Sequence, residues 1–189
     1  MRVPATASNT VGPFFHLGLD RLVVTNLTGS GAQGERVTIQ GRVLDGEGMP
    51  VSDAVIEIWQ ADHHGIYAHP EDTRYASCSP EFTGFGRIPT ETDGSFEFTT
   101  IKPGPVPGPG NTPQAPHIVA LVFMRGLLKH LLTRLYFPND PRNVEDPILR
   151  LVPPDRRGTL IARSLNGNNQ QLEWNILLQG PAETVFFEY

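Results

Sequence analysis

The sequence predicts an all-β protein, a β-sandwich of two sheets with long irregular loops and at most short helices. Glycine and proline provide 19 and 18 of the 189 residues, and such a density of turn-forming residues is typical of many short strands. No segment has a sustained apolar period of 3.6 residues, which argues against a helical bundle. The length fits one domain over residues 1–189.

Residues 1–20 are predicted to form an extended N-terminal arm, because they are rich in turn-forming residues. Within them, Gly12 permits unusual backbone dihedrals and Pro13 fixes the next one. Taken alone, the pattern favours a frayed terminus over an arm that lies on a surface.

Two strands are predicted next, over residues 37–44 and 54–60, because their apolar residues alternate. Asp45-Gly-Glu-Gly48 is predicted to turn the chain between them. The following segment, Asp62 to His69, contains three histidines and Tyr67. Such a cluster can bind a metal, but in a solvated turn it more often has no role, and residues 70–83 are predicted to be irregular loop.

The middle of the chain has the clearest pattern. Thr92-Asp-Gly-Ser95 is a turn of the kind that hairpins use, and the following residues, 96–99, alternate as in a strand. Lys102 to Gly110 has too few backbone N–H groups to join the interior of a sheet. The apolar run Ile118–Met124 is predicted to be a buried strand with His117 at its entry. This arrangement suits a functional site and a plain sandwich core equally well.

The C-terminal part is predicted to add a strand over residues 131–137 and a short helix start at Asp146-Pro147. Residues 159–165 and 170–178, joined by Asn166-Gly167, read as a hairpin. A last, strongly buried strand is suggested by Val185, Phe186, Phe187 and Tyr189. Together these segments give about eight strands without internal repeats, as in a sandwich.

Composition excludes several classes of partner. The net charge of −5, with no cluster of Lys or Arg, argues against nucleic acid. No segment is long and apolar enough to span a bilayer, and residues 1–15 lack the apolar core of a signal peptide. The single cysteine, Cys78, excludes an intrachain disulfide and fits a reducing cytoplasm.

Several ordered motifs resemble the intradiol ring-cleavage dioxygenases, and the resemblance extends from Thr10-x-Gly-Pro13 to Glu183-Thr-Val-Phe-Phe187. The motifs between these ends are Glu57-Ile-Trp-Gln-Ala-Asp62, Gly65-x-Tyr67, Phe85-Gly-Arg87, Asp93-Gly94, Thr100-Ile-Lys-Pro-Gly-Pro105 and Ala115-Pro-His-Ile118. The resemblance implies a family that cleaves an ortho-diol ring between its hydroxyls with O₂. In iron-bearing chains of this family, two Tyr and two His hold one Fe³⁺, for which phenolate is a suitable hard donor.

Only half of that ligand set is present. At the four ligand positions of the family, this chain has Tyr67, Val106, His117 and Val119. The Arg that precedes the His pair in the family is replaced by Gln114. Since valine has no lone pair, the resemblance implies that this chain has no metal ligands and no catalytic residue, and that Tyr67 and His117 are structural remnants.

In lacking these ligands, this chain resembles the alpha chains of heteromeric family members. Those alpha chains pair with a homologous iron-bearing beta chain and assemble further. The resemblance then implies that Fe³⁺ is held by the partner and that this chain is not active alone. It also implies that Thr10, Gly12, Pro13 and Arg125 contact the substrate, an aromatic diol that is cleaved with O₂. Arg125 would bind a ring carboxylate; the alternative is a surface Arg or an ion pair with an acidic residue of this chain.

Two other interpretations remain open. One is a β-sandwich binding or interaction module without enzymatic activity on the same scaffold. The other is a homomeric metalloenzyme with a rebuilt site, in which His63, His64 or His69 joins Tyr67 and His117. A rebuilt ferric–tyrosinate site would be coloured, whereas the other interpretations predict a colourless chain.

Overall fold

Two β-sheets face each other in the computed structural model, which describes residues 6–29 and 31–188. The all-β sandwich prediction is confirmed, because the part of the chain described contains a single short α-helix and otherwise only 3₁₀ turns. The strands are β1 Arg36–Leu44, β2 Val55–Trp59, β3 Phe85–Pro89, β4 Ser95–Ile101, β5 Val106–Pro107, β6 Pro113–Gln114, β7 His117–Phe123, β8 Leu131–Tyr136, β9 Arg163–Leu165, β10 Asn168–Glu173 and β11 Ile176–Leu177. The helix is α1 Pro13–Gly18, and the 3₁₀ turns are Asp20–Leu22, Tyr75–Ser77, Pro109–Asn111, Pro141–Val144, Leu149–Leu151 and Arg157–Leu160.

The first sheet is antiparallel throughout, in the order β3-β2-β7-β8. Its strands alternate between the two faces, as a period of two residues requires. On β7, Ile118, Ala120 and Val122 are fully buried in the sandwich, whereas Val119 is half-buried on the opposite face. The sheet therefore has an inner face that fills the core and an outer face that is covered by loops.

The second sheet is built around β1. Strand β4 pairs antiparallel with β1 on one side, and β10 followed by β11 pairs parallel with it on the other. Strand β9 extends the sheet beyond β10. The chain between β10 and β11 passes so close to β1 that a Cβ on Gly41 would lie 1.8 Å from the Trp174 carbonyl oxygen, which explains the glycine inside this strand.

The inner faces of the two sheets form one apolar core. Aliphatic side chains from both sheets interlock there with a few aromatic ones, and most are fully buried. Its largest members are Leu27, Ile39, Ile56, Ile58, Phe82, Ile88, Phe96, Phe98, Ile101, Ile118, Leu135, Phe137, Leu172, Trp174 and Ile176.

A second, smaller apolar cluster lies on the outer face of the first sheet, beside β8. Tyr136 and Ala115 are its members from the sheet side, and the segment with the last three 3₁₀ turns supplies the rest. Asp146 begins the turn Leu149–Leu151 by accepting hydrogen bonds from the Ile148 and Leu149 N–H groups. The helix start predicted at Asp146-Pro147 is thus a capped 3₁₀ turn.

Three local predictions need correction. The Asp93-Gly94 turn does not close a hairpin, because β3 and β4 belong to different sheets, so the turn crosses from one sheet to the other. Residues 157–160 form a 3₁₀ turn, which shortens the first strand of the predicted hairpin to β9. Residues 185–188 are half-buried or exposed and contain only an isolated bridge between Phe187 and Leu132; Tyr189 lies outside the described residues.

The segment predicted to be an extended arm is partly helical. Residues 6–12 have no regular structure, and α1 then begins at Pro13, whose fixed φ suits the first helical position. The Phe15 N–H donates to the Gly12 carbonyl at 3.0 Å. Residues 1–5 of the predicted arm lie outside the described residues.

Candidate functional site

Two of the four ligand positions lie side by side with charged and aromatic residues on the outer face of the first sheet. In the registers of β2, β7 and β8, Trp59 is opposite Val119 and Val119 is opposite Arg134. His117 is opposite Tyr136 in the next row. Because registered residues of an antiparallel pair share a face, these side chains form one contiguous surface.

Loops that carry the other two ligand positions cover this surface. Val106, in β5, pairs with Gln114 of β6 in a two-stranded ribbon outside both sheets. Tyr67 lies in the loop after β2, and this loop touches the Pro/Gly segment closely. A Cβ on Gly65 would lie 2.0 Å from the Pro105 carbonyl oxygen, and the φ of Gly65 is +75°, a conformation that glycine adopts without strain.

Tyr67 is held in place by stacking. Its ring lies 6.0 Å from the Trp59 ring at an interplanar angle of 8°, and its backbone N–H donates to Asp72 Oδ2 at 3.0 Å. Burial raises the pKa of the Tyr67 phenol, against the lowering effect of the Arg134 charge. In the chain as it stands, the phenol is neutral at ordinary pH.

His117 is buried, and its ring has one defined hydrogen bond. Nδ1 lies 2.8 Å from the Ala115 carbonyl oxygen, so the neutral ring donates from Nδ1 and leaves its lone pair on Nε2. Burial, followed by the Arg134 charge, lowers the pKa of His117 to about 4. The imidazole is thus a neutral donor of the type that binds metals.

Arg134 occupies the centre of this face, and sequence reasoning missed it. Its Nη1 donates to Gln114 Oε1 at 2.7 Å and lies 3.4 Å from the Tyr136 hydroxyl. The guanidinium lies 6.0 Å from the centre of the Phe187 ring. Its alternation with apolar residues indicates only that Arg134 points away from the core, and not what it contacts there.

Tyr136 links this guanidinium to a buried carboxylate. Its hydroxyl donates to Asp146 Oδ1 at 3.1 Å, and the other oxygen of Asp146 accepts the Ala115 N–H at 2.7 Å. Burial raises the pKa of Tyr136. The row from Arg134 through Tyr136 to Asp146 is a hydrogen-bonded network beneath the ligand positions.

The donor set does not fit the family's iron. Tyr67 and His117 offer one oxygen and one nitrogen, whereas Val106 and Val119 offer none. His63 and His64 stack on each other with ring centres 3.8 Å apart, and a Cβ on Gly34 would lie 2.9 Å from the His63 Cβ. His69 stands edge-on to Trp59, with ring centres 6.5 Å apart. Within residues 6–29 and 31–188, no group of three or more His, Cys, Asp or Glu side chains could hold a metal.

An open cleft of about 680 Å³ borders the Tyr67 loop. It is lined by aromatic residues on one side and by an ion pair on the other. Arg74 donates to both carboxylate oxygens of Asp72, and these bonds lower the pKa of Asp72 to about 2. Its lining includes Trp59, Tyr67, His69, Asp72, Arg74 and Pro107.

The predicted substrate contacts lie at the other end of β7. The Thr10 Oγ1 accepts the Gly126 N–H at 2.7 Å, which fixes the N-terminal segment beside the turn that carries Arg125. Arg125 forms an ion pair from Nε to Asp53 Oδ2, and its side chain is 59% exposed. We refer to Thr10, Arg125, Gly126 and Asp53 as the distal cluster.

The structure brings Thr10 and Arg125 together, but it does not place Gly12 or Pro13 against them. Gly12 precedes α1, and a Cβ there would meet nothing within 4 Å. Pro13 begins the helix, and its side chain lies outside the described part of the chain. The Phe15 ring packs 5.6 Å from the Phe123 ring, so the segment is anchored on β7.

The distal cluster and the ligand positions are well separated. At about 3.3 Å per residue, β7 spans roughly 20 Å from His117 to Phe123, and Arg125 lies in the turn beyond that end. A side chain cannot bridge that distance. Residues of the distal cluster can therefore contact a substrate only at a site other than the ligand positions of this chain.

Comparisons with known proteins agree with the motifs. A family model described as a dioxygenase matches residues 12–180. The protocatechuate 3,4-dioxygenase alpha chain of Burkholderia cepacia is 39% identical, over 97% of this chain and 96% of that relative. The alpha chain of Pseudomonas putida is 37% identical, over 99% and 98% of the two chains. The beta chain of Burkholderia cepacia is 38% identical, over 94% of this chain and 77% of its own length.

Solved structures support the same fold. The dioxygenase domain of a dioxygenase–carbohydrate-binding protein fusion from Streptomyces sp. SirexAA-E superposes with a TM-score of 0.63 at 27% identity, over 86% of this chain and 89% of that one. An intradiol ring-cleavage dioxygenase from Tetranychus urticae has a TM-score of 0.63 at 20% identity, over 82% and 85% of the two chains. At 20% identity, the similarity to the Tetranychus urticae protein shows only a shared fold. No helix of the described residues is long and apolar enough to cross a membrane.

Proposed function

This chain belongs to the intradiol ring-cleavage dioxygenase family, and from that premise we propose that it is the iron-free alpha subunit of a protocatechuate 3,4-dioxygenase. It pairs with a homologous iron-bearing beta chain and has no activity alone. The complex cleaves 3,4-dihydroxybenzoate between its hydroxyls with O₂, as a step of aromatic degradation in the cytoplasm. Pairs of alpha and beta chains assemble further into a higher oligomer.

One observation carries the proposal. The residues suited to bind a substrate carboxylate, in the distal cluster, lie at the opposite end of β7, which is roughly 20 Å long, from His117 at the ligand positions of the same chain. Those ligand positions lack two of four donors, whereas the distal cluster presents an exposed guanidinium. A chain with this separation is suited to complete the pocket of a partner, with the N-terminal segment reaching across the contact.

In this proposal, the residues of this chain bind and position the substrate. The partner's Fe³⁺ supplies Lewis-acid activation of the bound diol. Thr10 fixes the turn at Gly126 through its hydroxyl, so that Arg125 is presented from a defined backbone position. The guanidinium then meets the ring carboxylate, with two parallel hydrogen bonds where the geometry allows. Gly12 and Pro13 contribute backbone to the pocket wall.

Co-expression tests the proposal. A tag on this chain should capture the iron-bearing homologue in a 1:1 ratio, and the purified complex should contain one iron per pair and cleave protocatechuate. Expressed alone, the chain should be colourless and should self-associate, because an obligate heteromer leaves a large apolar interface unpaired.

Each of the other interpretations predicts a different result. A coloured chain that holds one iron by itself would establish a rebuilt metal site. A stable monomer that ignores the iron-bearing homologue, and adds nothing to its activity, would support a non-enzymatic binding module. Either result would overturn the subunit proposal.

A further inference from the structure

Arg134 is placed among all four ligand positions. It lies opposite Val119 in the register of β7 and β8 and shares that face of the sheet. Its Nη1 donates to Gln114, the residue that pairs with Val106 in the ribbon. The two remaining positions adjoin the same surface: Tyr67 stacks on Trp59, which pairs with Val119. The His117 ring lies 5.7 Å from the ring of Tyr136, whose hydroxyl is 3.4 Å from Arg134 Nη1.

The positive charge of the Arg134 guanidinium is not neutralised by a carboxylate in contact with it. Its polar partners are the Gln114 amide oxygen and the Tyr136 hydroxyl, and it approaches the Phe187 ring. In the described part of the chain, no carboxylate forms an ion pair with it. The nearest acidic group in the network, Asp146, is reached only through Tyr136.

We propose that the Arg134 guanidinium replaces the family's metal as a built-in cation that holds the ligand positions together and excludes a metal ion. The loss of iron in this chain is then a substitution of one cation for another, and not only a loss of two donors. The inference rests on membership of the family and not on the proposed subunit role.

The physical reasoning has two parts. A cation half-buried among a phenol, an amide oxygen and an aromatic ring orients their dipoles toward one point, as a metal would. The same charge repels any second cation at that point, and repulsion is strong where water is partly excluded. Restoring the two missing donors should therefore not restore metal binding while Arg134 remains.

The test rebuilds the ligand set with and without the positive charge. One variant carries Val106→Tyr and Val119→His. A second adds Arg134→Met, which keeps a long side chain against Phe187, and a third adds Arg134→Lys, which keeps the charge. Each variant is prepared as the full chain, in the same assembly state as the wild type. The wild-type iron content is the baseline, and only iron above it is counted.

We expect the double variant and the Lys variant to bind little added Fe³⁺, and the Met variant to approach one added iron per chain. A like charge a few ångströms away changes ion affinity by about 10- to 1,000-fold, so the double variant should bind at least about 10-fold more weakly than the Met variant. The Met variant should also develop visible phenolate-to-iron absorption. Its Tm should rise with iron and fall with a chelator.

Three outcomes would overturn the inference. In the first, the double variant binds iron as tightly as the Met variant, and in the second, the Lys variant does so; in either case the charge does not exclude the metal. In the third outcome, the Met variant and a parallel Arg134→Ser variant, both folded by circular dichroism, bind no added iron. The guanidinium would then not occupy the metal's place. None of these results depends on whether a beta chain pairs with this one.

Discussion

Arg125 is held by one acidic residue and still presents most of its guanidinium to solvent. The pair with Asp53 uses Nε, and the Arg125 side chain is 59% exposed. An exposed ion pair contributes only about 0–1 kcal/mol, so it does not by itself account for an arginine at this position. In the proposed subunit role, the same pairing would orient the side chain toward a substrate carboxylate.

We therefore predict that Arg125→Ala in the assembled enzyme weakens protocatechuate binding while the partner's iron and colour stay unchanged. Charge-assisted hydrogen bonds contribute about 1.5–3 kcal/mol, which corresponds to a loss of roughly 10- to 150-fold. Catechol has no carboxylate, so its turnover should change much less. Kinetics with both substrates measure the difference.

Asp53→Asn is the matched control, because it removes the ion pair and leaves the guanidinium. It should weaken protocatechuate binding far less than Arg125→Ala does. Equal losses on both substrates, or equal losses in the two variants, would mean that Arg125 is structural.

His117 makes folding stability depend on pH. Its pKa is about 4 in the folded chain, against an ordinary value near 6.5, so between these values the unfolded chain binds more protons. Stability is therefore full above about pH 6.5 and falls as the pH is lowered toward 4. At about 1.4 kcal/mol per pKa unit, the loss is on the order of 3 kcal/mol.

We predict that His117→Asn, whose amide can still donate to the Ala115 carbonyl, flattens this dependence. Urea unfolding at pH 5 and pH 7.5 measures the free energy of unfolding at each pH. The control is His64→Gln, because His64 is exposed. If His117→Asn and His64→Gln lose stability equally on acidification, burial of His117 does not set the pH dependence.

Among the structural elements, β1 depends on a single glycine. The chain between β10 and β11 crosses β1 at Gly41, where an added Cβ would lie 1.8 Å from the Trp174 carbonyl oxygen and 2.9 Å from the Phe96 ring. Backbone cannot move there without breaking the parallel pairs that continue on both sides. The glycine is therefore required by close packing and not by its dihedrals.

We predict that Gly41→Ala destabilises the chain by more than about 3 kcal/mol, or prevents soluble expression, because the clash lies inside the second sheet. Gly158→Ala is the control, since a Cβ there meets nothing within 4 Å. Chemical denaturation of the two variants compares them. A loss below about 1 kcal/mol at Gly41 would show that the strands can separate easily.

The sequence allowed the strands to be predicted wherever the signal is local. Strands β1, β2, β4 and β8 follow from alternation of apolar residues and β7 follows from an unbroken apolar run, because each strand needs only its own pattern to be recognised. The parallel pairing of β1 with β10 and β11 joins segments far apart in the chain. Nothing in either segment specifies that partner, so it could not be predicted.

The candidate site was predictable to the same extent. Motifs locate Tyr67, His117 and the two valines. The substrate role of Thr10 and Arg125 stays a prediction, and the structure adds only the hydrogen bond from Gly126 to Thr10. Arg134 was missed, because its role depends on the register of β8 against β7. The intervening turn sets that register, and the alternation pattern does not contain it.

On the scale of the whole molecule, α1 carries exposed apolar side chains close to the distal cluster. Phe14 and Leu17 are 80% and 60% exposed, and they follow directly on the segment that Thr10 anchors beside Arg125. If the distal cluster completes another chain's pocket, the neighbouring apolar side chains must lie within or beside the contact. Large apolar groups at the centre of an interface usually dominate its energy.

We predict that Phe14→Ser with Leu17→Ser weakens pairing with the iron-bearing chain by at least about 10-fold, because two buried apolar anchors are lost. Val144→Ser with Leu151→Ser is the matched control. These residues are 72% and 78% exposed, but they lie on 3₁₀ turns of the segment that packs beside β8. Analytical ultracentrifugation of mixed chains gives the affinities, and circular dichroism checks the folding of both variants. Equal weakening by the two pairs would move the contact away from α1, and with it the proposed route by which Thr10 and Arg125 reach a partner's substrate.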